Sequence, residues 1–421
     1  MPMHEEPHLR LAEVRREAAH LVQSMLDGTN VSVIALTDTL IRHAYIAGAS
    51  DIHMLPGRLA LTICFRIDGV LTEMHCIPLS VHSELIARLK ILSSMRTDEH
   101  HTAQDGRFRF AFDDECLVDV RVTLAPTYYG ENAVLRLLSP EGHAGTLEEL
   151  GFTPAHRALL EEAMNDGHGL ILATGPTGSG KTTTLYALIA MLVLMRRSIV
   201  TIEDPIEYSI DGITQMPVNP RSGFTFAHGL RSMVRQDPDV LMVGEIRDSE
   251  TARLACTAAL TGHLVLSTLH TTDAASALIR IRDLGVEPYL IASSIALVVA
   301  QRLVRRICAA CTTYQPLQKN EQDALDILLS VPNAAPPSSA RFMRGAGCAV
   351  CGGTGYRGRI GVYEFLPVSD AVRADVRIQQ DAYELAKAAH ARGMVSIMQD
   401  ALQKAVDGST TIDEVLRLGH S

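Results

Sequence analysis

The sequence predicts an α/β fold: a parallel-sheet core, preceded by a small α+β domain and carrying a cysteine element late in the chain. Three observations predict it. From Gly169 onward, short apolar runs of strand length alternate with helical stretches. Residues 49–138 instead alternate apolar and polar positions between turn residues, which reads as hairpins. Two Cys-x-x-Cys pairs then interrupt the pattern before a helical end.

Residues 1–48 read as a helical stub. Leu11, Val14, Ala18, Leu21, Val22 and Met25 recur at helical spacing, Gly28 stops the run, and a second helix is expected over Val33–Ala47. Residues 49–141 form the α+β domain. Leu59–Arg66 alternates and Asp68-Gly69 turns; a helix covers Val81–Met95. Gly106–Phe112 and Leu117–Thr123 then flank an acidic turn at Asp113-Asp114. Gly142–Gly151 reads as a linker. In 142–421 the candidate strands are Leu170–Ala173, Ile199–Ile202, Val240–Val243 and Leu264–Thr268. Residues 303–360 hold the cysteine element, with a loop at Pro332–Ser339, and 361–421 form a C-terminal helical region, with Asp370–Leu418 polar on one face.

Composition bounds the function. The chain has 421 residues, 47% hydrophobic and 20% charged, with net charge −10 and pI near 5.9. At about 100–200 residues per domain, two to three domains with real cores are expected. The acidic balance gives no bulk electrostatic reason for a nucleic-acid partner. The first residues, Met1-Pro-Met-His-Glu-Glu6, lack a basic region and an apolar run, so no signal peptide is expected. The longest apolar stretch, Leu185–Met195, falls short of the about 20 residues a bilayer needs. A cytoplasmic protein is expected, docking from that side if it serves a membrane machine. Eight cysteines in such a chain should not form disulfides; Cys64, Cys76, Cys116 and Cys256 read as small core residues.

The apolar strand Gly169–Thr174 runs into Gly175-Pro176-Thr177-Gly178-Ser179-Gly180-Lys181-Thr182-Thr183 and then a helix. Strand, glycine loop and helix is the context a P-loop requires. The glycines let backbone N–H groups converge on phosphate oxygens, and the helix adds its positive end. Lys181 should reach the β and γ phosphates of ATP, and the Thr182 hydroxyl should sit on Mg²⁺.

Hydrolysis also needs groups that orient water and stabilise transferring charge. Glu203, Asp204 and Glu207 end one candidate strand; Gly244-Glu245-Ile-Arg-Asp248 ends another. Ligand chemistry in open α/β sheets gathers at such carboxyl ends. His263 and His270 bracket a further strand, and the helix start after His270 puts it at the same edge as Glu245. These acids could instead be solvated loop acids, and Asp204 could simply cap a turn.

Cys308-Ala-Ala-Cys311 and Cys348-Ala-Val-Cys351 are separated by 36 residues. Four thiolates suit a closed, structural, tetrahedral Zn²⁺ site; a redox Cys-x-x-Cys or reduced free thiols are the alternatives.

The ordered motifs carry a resemblance. They are the P-loop, Glu203–Glu207, Leu230–Asp239 running into Gly244–Asp248, Thr261–His270, and Ala300-Gln-Arg-Leu303. Together, over roughly Ala49–Leu418, they resemble the secretion ATPases of type II secretion systems and type IV pilus assembly. The resemblance implies a RecA-like P-loop core, a PAS-like small domain and a zinc-binding tetracysteine subdomain. It implies that Glu207 helps activate the attacking water, that Glu245 positions water and Mg²⁺, and that His263 and His270 sense the γ-phosphate. Arg107 and Arg121 of the small domain, with Arg231, Arg235 and Arg359, match nucleotide-site arginines. The family forms homohexameric rings at inner-membrane platform proteins, which implies peripheral association with that membrane. Its assembly-type members carry the tetracysteine element, whereas retraction-type members generally lack it. Larger members have a further docking domain, expected here to be missing or reduced to the stub. The Met54-Leu-Pro56 and His100-His101-Thr-Ala103 segments depart from the family pattern. Two other readings are a nucleic-acid translocase on the same core and a ring subunit that binds ATP without turnover.

Overall fold

The computed structural model describes residues 32–112, 117–138, 145–319, 341–378 and 381–419, with short pieces inside 16–24 and 321–325. Most of the first expected helix, the Asp113-Asp114 turn, Cys116 and the Pro332–Ser339 loop lie outside the described residues. Two compact units emerge: Met1–Gly142 with Gly347–Gly358, and His143–Ala346 with Arg359–Ser421.

The smaller unit begins with α1 (Val33–Ile46), whose N-cap Ser32 accepts the Ala35 N–H. Strands β1 (Ala49–Pro56), β2 (Ala60–Ile67) and β3 (Val70–Pro78) follow, then α2 (His82–Leu92) and β4 (Gln104–Ala111), β5 (Leu117–Thr127) and β6 (Gly130–Leu138). They form an antiparallel sheet in the order β3-β2-β1-β6-β5-β4. Alternation decides its faces. On β5, Val118, Val120, Val122 and Leu124 are buried while Asp119 and Thr123 stay out. The buried set packs with Leu36, Leu40 and Ile41 of α1 and Leu85 and Leu89 of α2.

The larger unit starts with α3 (Leu147–Leu150) and α4 (Pro154–Asn165). Strand β7 (Gly169–Thr174) leads to α5 (Lys181–Leu194), then β8 (Ile199–Glu203), β9 (Thr214–Pro217), α6 (Phe226–Met233) and β10 (Val240–Val243). Helix α7 (Ser249–Leu260), β11 (Leu264–Leu269), α8 (Ala274–Asp283), α9 (Pro288–Ser294) and β12 (Ile295–Ile307) complete the alternation. The short β13 (Thr312–Tyr314) and β14 (Met343–Gly345) pair antiparallel, and β15 (Tyr356–Pro367) leads to helices α10 (Asp370–Ile378), α11 (Ala382–Ala391), α12 (Ile397–Val406) and α13 (Ile412–Gly419). The seven-stranded sheet runs β15-β12-β7-β11-β10-β8-β9, parallel from β12 to β9. Every residue of β7, β8, β10 and β11 is buried, as expected for parallel strands covered on both faces. All four expected strands of this unit are present. β9, β12, β13, β14 and β15 are strands beyond those four.

His156 of α4 is buried, stacked on Phe365 at 4.5 Å. Its Nδ1 accepts the Thr153 N–H that begins the helix, so the ring is neutral there. Burial pulls its pKa from 6.5 down to about 4, with Asp400 opposing and Lys404 assisting. The unfolded chain therefore takes up a proton below pH 6.5 that the folded chain refuses until about 4. Stability should fall across that window by on the order of 3 kcal/mol from this group. Urea midpoints between pH 7 and pH 4 check this, and His156→Gln, which keeps an acceptor at the cap, should flatten the slope.

Candidate active site

The P-loop joins β7, in the middle of the parallel sheet, to α5. Gly175 has φ +151°, and a Cβ there would meet the Gln301 carbonyl at 2.5 Å and Ser179 Oγ at 2.6 Å. Gly180, at φ +88°, starts α5 from the left-handed region. A side chain at either glycine would break the loop. Gln301 Nε2, on β12, donates to Ser179 O at 2.7 Å and clamps the loop from outside. Ser179 Oγ is buried with no hydrogen-bond partner, an orphan that fits a site made for an incoming polar group.

Lys181 is buried, and its Nζ donates to Gly175 O at 2.8 Å and Pro176 O at 3.0 Å. Burial pulls the ammonium from 10.5 down to about 8; Glu245 opposes that and Arg302 adds to it. These three charges therefore act at one place. Thr182 and Thr183 are exposed at the helix start.

Glu245 follows β10 after Gly244. A Cβ on Gly244 would press on the Ile202 carbonyl at 3.3 Å, so glycine lets the two strand ends close together. Thr268 Oγ1 donates to Gly244 O at 2.8 Å and ties this turn to β11. The Glu245 carboxylate is only 12% exposed; Arg247 Nε lies 2.6 Å from it and His270 Nε2 3.5 Å from the same oxygen. Beyond His270, the Thr271 N–H donates to Thr174 Oγ1 at 3.0 Å, and Arg302 Nη2 donates to Thr272 O at 2.9 Å. The loop after β11 is thus fastened to the P-loop strand and to β12.

The remaining expected residues divide. Glu207 and Asp204 are exposed on the loop after β8. Glu203 is buried, its carboxylate taken up by Tyr186, Thr201 and Gln215 rather than offered to the loop mouth. His263 precedes β11, and its Nδ1 faces Ala258 O at 3.1 Å. The six residues of β11 put it about 20 Å from His270, at the amino edge of the sheet. The structure does not bring His263 to this site. Arg231 of α6 pairs with Glu250, Arg235 is exposed in the following turn, and Arg359 is exposed on β15. In the smaller unit, Arg107 and Arg121 lie directly opposite on β4 and β5, and Arg121 lies opposite Arg136 on β6. The row continues through Asp51 to Arg66; Asp51 pairs with Arg136 Nε at 3.0 Å and faces Arg66 Nε at 3.7 Å.

Sequence reasoning assigned no role to Gln301, Arg302, Thr174, Thr271 or Tyr186. The first two sit in the quoted Ala300-Gln-Arg-Leu303 segment, and reading it as the end of a buried strand would have exposed them.

The four cysteines converge. The Sγ atoms of Cys308, Cys311, Cys348 and Cys351 all lie within 4.8 Å of one another. Cys348 and Cys351 sulfurs are 3.8 Å apart, too far for a disulfide, and tetrahedral thiolates at about 2.3 Å from zinc stand about 3.8 Å apart. The Cys348 and Gly355 N–H groups each reach Cys351 Sγ at 3.2 Å, as bonds to a thiolate do. The donor set fits Zn²⁺.

The profile of the family described as Type II/IV secretion system protein matches residues 27–417. Type II secretion system protein E of Aeromonas hydrophila is 44% identical over 398 residues, covering 94% of this chain and 77% of that protein. Type IV pilus assembly ATPase PilB of Thermus thermophilus is 40% identical over 402 residues, 96% of this chain but 44% of that protein's length. Among solved structures, the Legionella pneumophila ATPase DotB matches with TM-score 0.67 at 22% identity, over 93% of this chain and 97% of that one. The pilus retraction motor PilT matches with TM-score 0.59 at 26% identity, over 90% and 96%.

Proposed function

The chain belongs to the Type II/IV secretion system protein family of ATPases, and from that premise we propose that it works as a homohexameric motor on the assembly side. It hydrolyses ATP to build a pilus or pseudopilus on inner-membrane platform proteins, to which it binds peripherally from the cytoplasm. Among the described residues no helix is long and apolar enough to cross a membrane. The observation that carries the reading is the meeting of Lys181, Glu245 and His270 at one carboxyl edge of the sheet. The tetracysteine cluster supports assembly rather than retraction. The strand order of the small unit supports a PAS-like fold.

In this reading the P-loop N–H groups and Lys181 hold the β and γ phosphates. Thr182 and Glu245 would hold Mg²⁺, which would supply positive charge against that of the transferring phosphoryl group. Glu207 accepts the proton of the attacking water, Glu245 orients that water, and His270 responds to the γ-phosphate. Asp204, Arg231, Arg235 and Arg359 line the nucleotide, and Arg107 and Arg121 bring the small unit's charge to the triphosphate. Light scattering of the purified protein with MgATP should report six chains per particle; a monomer under those conditions would overturn the ring.

The cysteine cluster would hold one Zn²⁺, whose bonds cross-link the segment and do no chemistry on the nucleotide. Metal analysis of freshly reduced protein should give about one zinc per chain. Cys308→Ser should lower the melting temperature by roughly 5–10 °C while kcat moves only a few-fold. Substoichiometric zinc, or a loss of kcat without a loss of stability, would contradict this.

A further inference from the structure

Tyr186 stands on α5 one turn beyond Thr182, with its side chain fully buried. Its hydroxyl works in two directions. It donates to one carboxylate oxygen of Glu203, and it accepts the backbone N–H of Glu207 at 3.3 Å. The other Glu203 oxygen accepts Thr201 Oγ1 at 2.6 Å and Gln215 Nε2 at 3.2 Å. Gln215 also donates to Tyr208 O at 3.2 Å and accepts the Ile210 N–H at 2.9 Å. The Tyr208 ring closes the net edge-on to Tyr186 at 4.6 Å. Polar bonds thus tie the segment 203–210 to the P-loop helix through Tyr186. Burial, then the bond to Glu203, pushes the phenol's pKa well up, so it stays a donor across the physiological range.

We propose that Tyr186 is a positioning residue for hydrolysis, which sets Glu207 against the Lys181–Thr182 end of its own helix through the Glu207 N–H and through Glu203. The inference rests on the reading that Glu207 handles the attacking water. The hydroxyl holds the Glu207 backbone N–H directly and the buried Glu203 carboxylate beside it, so the backbone that carries Glu207 is tied to the helix that carries the phosphate grip. A misplacement of about 1 Å at a reacting group costs roughly 100-fold in rate.

Tyr186→Phe keeps the ring packing and deletes both bonds. In the full-length protein, kcat should fall roughly 10- to 100-fold, while KM and the equilibrium affinity for ATP stay within about 3-fold. A purely structural role would not survive a double-mutant cycle with Glu207→Gln, read by single-turnover hydrolysis. Acting through Glu207, Tyr186→Phe should cost little further rate in the Glu207→Gln background. Should Tyr186→Phe fail to fold, Glu203→Gln, which weakens the acceptor but keeps its volume, takes its place in the same cycle with the same expectation. Fully additive losses, or a loss of ATP affinity in step with kcat, overturn the positioning role and leave the Glu207 reading intact. A Glu207→Gln protein at wild-type rate overturns that reading, and this inference with it.

Discussion

Lys181→Ala should abolish measurable ATP turnover, lowering kcat/KM by about 1,000-fold or more, and should do so without destabilising the protein. The loss follows from place and charge. Nζ is the buried cation at the head of α5, and alanine removes the point charge that the proposed mechanism sets against phosphate oxygens where water is scarce. Stability moves the other way. The ammonium's pKa of about 8 in the fold lies below its ordinary 10.5, so the fold disfavours the proton that the unfolded chain keeps. That penalty is complete below pH 8 and disappears as pH rises through 10.5; at neutral pH it amounts to on the order of 3 kcal/mol. The two bonds to loop carbonyls offset part of it. The variant should therefore melt no lower than the parent at pH 7, and the gap should close between pH 8 and 10.5. Coupled ATPase assays and calorimetry check both halves. Hydrolysis at the parental rate would remove the P-loop from the mechanism.

Glu245→Gln separates binding from chemistry. The amide has the carboxylate's shape, so Arg247 and His270 keep a neighbour of the same size. What disappears is the negative charge that the proposed mechanism uses to orient water and Mg²⁺. The expected result is kcat lowered by roughly 100- to 1,000-fold with ATP affinity changed only a few-fold. A second effect comes with it. Glu245 is the group that holds up the Lys181 pKa, so neutralising it should move Lys181 lower still, and ATP binding should weaken at a lower pH than in the parent. Equilibrium titrations with labelled ATP from pH 7 to 9 would show the shift. An unchanged kcat would remove Glu245 from the hydrolytic site.

The P-loop was readable because its constraint is local: glycines at fixed spacing between a strand and a helix admit few other structures. The covered strands were readable for the same reason, as short apolar runs between turns. β12 was harder, because Ile295–Ile307 passes from apolar to basic without a break and its partners are far away in sequence. Arg302 and Gln301 were hidden with it. Glu203 and Glu207 look equivalent as carboxylates ending a strand, and only the packing of α5 against β8 separates the buried one from the exposed one. His263 and His270 share one motif but not one place. Six strand residues stand between the two histidines, and that alone puts them at opposite edges of the sheet.

The small unit's row of Arg107, Arg121, Arg136, Asp51 and Arg66 sets four guanidinium groups against one carboxylate on a single sheet face. Directly opposed positions stand about 5 Å apart, inside the roughly 8 Å over which physiological salt screens a charge. Dissolved ions therefore cannot silence neighbouring members of the row. The sheet behaves as a charged plate, and Asp51 relieves the repulsion where it meets Arg136 and Arg66. A compact anion discharges one junction, whereas an anion extended across the strands discharges several at once. For an anion placed on the row, its length across the strands as well as its charge would set how much repulsion it relieves.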